Sequence, residues 1–128
     1  MVEVWKDIIG YEGKYQVSNL GRIKSLQRWS GTQFYNREQI LKTYTNKRNG
    51  YVYVYLMKNN KGKNIRVHKL VAQAFLINDN NYTDINHKDC NRTNNCVDNL
   101  EYCTRSYNIK YSFEKGCAKS NLLNWNKS

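Results

Sequence analysis

The 128-residue chain has no proline, no CxxC pair, and only two histidines. It has no run near the ~18 consecutive apolar residues that a membrane helix needs. Its first ten residues, MVEVWKDIIG, lack the basic-then-apolar order of a secretory leader. These absences argue against collagen-like, transmembrane and secreted readings. Acid is scarce where it would matter most. Residues 13–78 carry 13 Lys and Arg against the single Glu38, a local charge of +12 within a total of +11. Residues 1–12 hold −2 and residues 79–128 hold +1.

What is present fits one compact domain, or one with a short appended segment. The chain is 40% apolar and contains 11 tyrosines, enough for a modest core and too much for wholesale disorder. A middle segment almost without acid offers a polyanion a field that internal ion pairs do not cancel. Nucleic acid is the favoured partner; a merely solubilising surface is the alternative. The four cysteines (Cys90, Cys96, Cys103, Cys117) all lie in the last third. In the absence of an export signal they are expected reduced. His87-Lys-Asp-Cys90 could give half of a structural zinc site, with Cys96 or Cys103 completing it, but a second tight knuckle is missing.

The first half reads as short strands and turns. Tyr15–Ser18 and Arg22–Leu26 flank a turn closed by Gly21, and Gln39–Thr45 forms a further strand region. Residues 51–57 alternate strictly, with Val52, Val54 and Leu56 on one face and Tyr51, Tyr53, Tyr55 and Met57 on the other. Asn59–Gly62 turns the chain into a strand over 63–67. The tyrosine face suits either a second packing surface or a nucleic-acid platform. Residues 68–75 then place Leu70, Val71, Ala74 and Phe75 on one helical stripe. His68, at its start, reads as a structural histidine bonded to backbone. After a polar connection come a strand near Thr83–His87, a long polar loop, a strand at Leu100–Cys103 and a helix over about 104–114. The tail after Gly116, with Leu122, Leu123 and Trp125, is expected to dock or fray.

Ile85-Asn-His-Lys-Asp-Cys90 and Asn99-Leu-Glu-Tyr-Cys-Thr-Arg-Ser-Tyr-Asn108 together resemble the HNH nuclease family, particularly its phage-type homing endonucleases. There an Asn-His pair ends the first strand, Asn-Leu-Glu opens the second, and an asparagine lies on the following helix. Upstream, residues 5–26 resemble the nuclease-associated modular motif that precedes this unit, and Val67–Phe75 is similar to the family's linking helix. The resemblance spans about residues 3–116. It implies an α+β fold: an N-terminal antiparallel β-sheet module (1–66), a linking helix and connection (67–82), a ββα-metal module of the His-Me finger type (83–116), and a tail (117–128).

The resemblance also implies roles. His87 would be the general base, a task that an imidazole with pKa near 6.5 suits at neutral pH. Asn99 would brace the loop and orient His87. Asn108 and Asn86 would hold one divalent ion, Mg²⁺ or Mn²⁺, through oxygen. The basic module would grip duplex phosphates, with Arg22, Lys24, Arg28, Lys47, Arg48 and Arg66 as candidates, and Lys88, Arg92 and Arg105 flanking the cut. The chain departs from the family in three places. Asn86 stands where many relatives carry aspartate, Cys90 replaces a loop glycine, and Tyr111 and Ser112 occupy the place of a further histidine. The expected protein is a monomeric, metal-dependent DNA endonuclease acting on double-stranded DNA inside the cell, encoded by a phage or mobile element. It is expected to have no membrane or small-molecule partner. Family members often add a C-terminal helix-turn-helix, and its absence here predicts modest sequence specificity and nicking. The alternative is a DNA-binding protein on the same scaffold with weak or no turnover.

Overall fold

In the computed structural model residues 1–29, 34–35 and 37–117 are described, the side chains of residues 28, 29, 34 and 35 excepted. The fold is α+β. The strands in order are β1 (Trp5–Asp7), β2 (Tyr15–Ser18), β3 (Ile23–Ser25), β4 (Arg28–Trp29), β5 (Phe34–Tyr35), β6 (Gln39–Ile40), β7 (Tyr44–Thr45), β8 (Val52–Lys58) and β9 (Lys61–Arg66). Helix α1 (Val67–Phe75) follows, then β10 (Asp84–His87), a 3₁₀ turn (Val97–Asn99), β11 (Leu100–Cys103) and α2 (Arg105–Glu114). The described strands form four small antiparallel sheets rather than one: β1-β2-β3-β6, β4-β5, β7-β8-β9 and β10-β11. The strand region at 39–45 therefore divides, its start pairing with β3 and its end with β8.

The alternating run becomes β8, with Val52, Val54 and Leu56 buried. A two-residue turn, Asn59-Asn60, links it to β9, and both residues take left-handed φ (54° and 62°). Asparagine tolerates that region because its short polar side chain bonds locally. The turn is thus shorter than the four residues expected, and β9 starts at Lys61. The aliphatic face of β8 meets Val67, Leu70 and Val71 of α1, Val17 and Ile23 of the first sheet, and Leu100 of β11 in one cluster. One core joins the N-terminal sheet, β8, α1 and β11, while α2 packs outside it on β10. Val67, which the sequence pattern assigns to the end of a strand, is buried in that core and opens the helix instead.

The turn Ser18–Gly21 ties the N-terminal strands together and then reaches the second half of the chain. Asn19 Oδ1 accepts from the Val4 amide at 2.8 Å and its Nδ2 donates to the Val2 carbonyl at 3.0 Å. Its own carbonyl accepts from the Val97 amide at 2.8 Å. Gly21 has φ +89°, and a Cβ there would lie 3.2 Å from both Cβ and O of Asn95. Glycine is needed for the backbone conformation and for the approach.

Gly21→Ala should therefore lower stability by more than about 1 kcal/mol, since both the left-handed φ and the contact oppose it. Chemical denaturation of the two proteins checks this; equal midpoints would contradict it.

Candidate active site

The site grows out of the β10-β11 hairpin. The pair is in register with Asp84 opposite Cys103, Asn86 opposite Glu101 and His87 opposite Leu100. Alternation turns Asp84 and Asn86 to one face together with Glu101 and Cys103, while Ile85 and His87 take the other. Thr104 caps α2 by accepting from the Tyr107 amide at 3.1 Å. The helix packs on β10, where Asn108 Nδ2 donates to Asp84 Oδ2 at 3.2 Å. Tyr111 donates its hydroxyl to the Lys88 carbonyl at 2.6 Å.

The polar loop between the strands is closed by Asp89 and Asn99. Asn99 Nδ2 donates to Asp89 Oδ1 at 2.8 Å and to the Asn94 carbonyl at 2.9 Å, while its Oδ1 accepts from the Asp89 amide at 3.0 Å. The Asn99 carbonyl takes the Lys88 amide at 2.8 Å. The Asn94 amide group, donating to Asp89, leads the interactions that hold the Asp89 carboxyl below its usual range. Cys90, with φ +64°, makes the loop turn that glycine makes in the family pattern. Contrary to the expectation of reduced thiols, Cys90 is joined to Cys117 in a disulfide, while Cys96 and Cys103 are free. The pairing takes Cys90 out of any zinc set. No group of three or more His, Cys, Asp or Glu side chains among the described residues could hold a metal.

His87 is only 6% exposed, yet it borders a cavity of about 630 Å³ that Asn86 and Asn108 also line. Its Nε2 lies 2.8 Å from Asn95 Oδ1. An amide oxygen can only accept, so Nε2 carries the hydrogen and Nδ1 keeps its lone pair. Tyr51 and His68 pack behind the ring. His68 meets it edge-on with centroids 5.0 Å apart, and Tyr51 stacks on His68 at 5.0 Å. Burial leads the forces lowering the His87 pKa, aided by Arg92 and opposed by the Asn95 hydrogen bond and by Asp89. The ring is therefore neutral at pH 7. His68 does not bond to backbone as expected: its Nδ1 is buried with no partner among the described residues. Burial first, then the neighbouring His87, Arg66, Lys69 and Arg92, pushes its pKa down to about 3.

The candidate phosphate-binding residues have separate fates. Lys47, Arg48 and Arg92 line the cavity, while Lys88 and Arg105 are exposed beside the hairpin. Arg22 is bound to Glu3 through two guanidinium nitrogens, at 2.9 and 2.5 Å, and Lys24 lies 3.4 Å from Glu38. Glu3, from outside the basic segment, and Glu38, within it, thus neutralise part of that segment, contrary to expectation. Arg66 sits over the Tyr51 ring, 4.5 Å from its centroid, and donates Nε to the Tyr53 hydroxyl at 3.0 Å. Arg92 covers Tyr51 at 4.6 Å and donates to the Asn49 carbonyl at 2.5 Å. The tyrosine face is therefore in part a packing surface. The side chain of Arg28 and the tail residues Leu122, Leu123 and Trp125 lie outside the described residues. Sequence reasoning assigned no role to Asn95, Asp84 or Glu101, and it placed Tyr51 only on the tyrosine-rich face. Only the hairpin register, which sets Asn86 against Glu101, could have pointed to one of them.

A basic sheet region tied to a ββα hairpin, with Asn-His at the end of the first strand and asparagine on the helix, is the arrangement of an HNH nuclease. A family model described as the NUMOD4 motif matches residues 3–57. The DNA endonuclease I-HmuI of Bacillus phage SP01 is 39% identical over 112 residues, which cover 88% of this chain and 59% of that protein. An uncharacterized HNH endonuclease of Acanthamoeba polyphaga mimivirus is 33% identical over 93% of this chain and 32% of its own length. A solved structure described as DNA binding and cleavage by the HNH homing endonuclease I-HmuI matches with a TM-score of 0.73 at 35% identity. The match covers 94% of this chain and 65% of that one. The chain is thus similar to HNH homing endonucleases over most of its length, and it spans less than two thirds of the length of these relatives.

A histidine whose pKa is depressed on folding takes up a proton on unfolding, so its contribution to stability is complete above the unfolded pKa. For His68 that contribution should fall away from about pH 6.5 down to about 3, with a slope of up to about 1.4 kcal/mol per pH unit. Urea denaturation between pH 7 and 4 measures the slope, and His68→Phe, which keeps the stacked ring without the titration, should flatten it. An unchanged slope would refute the assignment.

Proposed function

We propose that this chain is a metal-dependent DNA endonuclease that hydrolyses phosphodiester bonds in double-stranded DNA. One observation carries the reading. His87 has its Nε2 hydrogen committed to Asn95 and its Nδ1 unpartnered among the described residues, beside a cavity shared with two asparagines and basic side chains. A neutral buried imidazole with one free lone pair is a general base, and Nδ1 would take the proton of the attacking water. Asn99 would hold the loop, and so His87, by its bonds to Asp89 and Asn94.

Asn86 and Asn108 fit a hard divalent cation. Both line the cavity, and neither Oδ1 accepts a hydrogen bond from a described residue. Oxygen donors of this kind, with water and phosphate completing the set, suit Mg²⁺ or Mn²⁺. When bound, the ion would neutralise charge on the phosphate and its leaving oxygen. Lys47, Arg48 and Arg92, at the cavity, would receive the neighbouring phosphates, with Lys88 and Arg105 outside it. Residues 1–66 would act as the DNA-gripping module and 83–116 as the cutting one. With one such imidazole, a monomer would nick one strand per binding event, on DNA inside the cell.

Purified full chain with supercoiled plasmid and Mg²⁺ or Mn²⁺ should produce relaxed circles. His87→Ala should slow this by about 10²–10⁴-fold, the usual contribution of a general base. The rate should rise with pH to a plateau whose midpoint lies below 6.5, because burial keeps His87 deprotonated to lower pH. Salt-sensitive binding without relaxation by either protein would instead support a DNA-binding protein without turnover.

A further inference from the structure

The family's usual carboxylate before the histidine is missing here, and the amide that replaces it is paired in a definite way. Asn86 Nδ2 donates to Glu101 Oε1 at 2.9 Å, directly across the β10-β11 register. On the facing helix, Asn108 Nδ2 donates to Asp84 Oδ2 at 3.2 Å. The two asparagines thus share one arrangement, although their partners come from different positions of the hairpin.

A carboxylate has no hydrogen to give, so it can only receive the NH₂ end of an amide. Each acid therefore fixes which way its asparagine points. With Nδ2 held, Oδ1 is the end left over, and neither Oδ1 accepts a bond from any described residue. Asn86 is 4% exposed, so it cannot turn freely into bulk water to settle the choice. The Asp84 carboxylate is itself steadied by the Thr83 hydroxyl at 3.2 Å.

We propose that Asp84 and Glu101 are positioning residues that aim the two amide oxygens at the cation and supply the negative charge that Asn86 itself lacks. This rests on the assignment of Asn86 and Asn108 as cation ligands made above. A chain of net charge +11 repels a divalent ion, and two neutral oxygens do little against that. Two carboxylates, each one hydrogen bond behind an oxygen, polarise the amides and lower the cost of bringing the ion in. Neither acid has to touch the ion.

Mn²⁺ binding by the full chain, followed by the loss of the free-ion electron paramagnetic resonance signal, tests this without relying on cleavage. Asp84→Asn and Glu101→Gln, each checked for an unchanged melting temperature, should raise the Mn²⁺ concentration for half-occupancy about tenfold or more, as loss of such supporting groups does. Asn86→Asp alone should gain little, because it sets two carboxylates against each other. Asn86→Asp combined with Glu101→Gln should bind Mn²⁺ more tightly than the wild type, since the amide introduced on β11 can then donate to the new acid. Wild-type occupancy in both Asp84→Asn and Glu101→Gln, with Asn108→Ala abolishing binding, would overturn this proposal and leave the cation site standing. So would full gain from Asn86→Asp alone. A wild type that takes up no Mn²⁺ would remove the cation site itself, and this inference with it.

Discussion

The imidazole proposed as general base depends on one contact whose support lies far away in sequence. Among the described residues, Asn95 is the only hydrogen-bond partner His87 has through its ring, at 2.8 Å, and Asn95 is itself pressed from behind by Gly21. The Asn19 carbonyl, taking the Val97 amide two residues further on, fixes the same loop to the same turn. A shift of the N-terminal turn by a few tenths of an ångström would be passed on to the ring, because the interior between them is close-packed. This is why the first 26 residues, which contribute no side chain to the cavity, still bear on the chemistry proposed for it. A catalytic group must be held to within about half an ångström of its productive geometry, and a long loop alone would not do that.

Burial acts on the two histidines in the same direction with different consequences. It keeps His87 neutral, as the proposed general-base role requires, while Asn95 and Asp89 oppose the shift. Nothing comparable relieves His68, whose unpartnered Nδ1 is a real cost, on the order of 1–3 kcal/mol. The tyrosine between the arginines offers a physical reason for tolerating it. Tyr51 stacks on His68 while Arg66 and Arg92 cover the Tyr51 ring. Two cations are thereby brought near the cavity with no acid bound to either among the described residues, which suits the phosphate binding proposed there.

How far the sequence went can be read from particular elements. The alternation of residues 51–57, the stripe of α1 and the strand-loop-strand-helix order after residue 83 are all evident in it, because each is a periodic apolar signal that local geometry enforces. The division into four small sheets is not. Strands of two or three residues carry too little pattern to show which neighbour they join. In the site, the order His87, Asn99, Asn108 can be read because motif spacing survives in sequence. Asn95 cannot, since an asparagine in a loop rich in asparagine gives no sign of which one turns inward. The charge count also misleads locally: Glu3 lies outside the basic segment, and only folding brings it onto Arg22.

The departures from the family pattern share a logic. Cys90 stands in the place of a glycine and takes φ +64°, a conformation that disfavours a side chain by on the order of 1–2 kcal/mol. Its amide is bound to the His87 carbonyl at 2.9 Å, the residue before it is anchored four times over by Asn91, Asn94 and Asn99, and its sulfur is joined to Cys117. The loop is over-determined by its neighbours, so the glycine became dispensable. Asn86 follows the same rule at the other face of the strand. In the proposed cation site a neutral amide is acceptable once Glu101 fixes its orientation and Asp84 does the same for Asn108. What such a position requires is the aim of an oxygen and the charge close behind it, and more than one pair of residues can provide both.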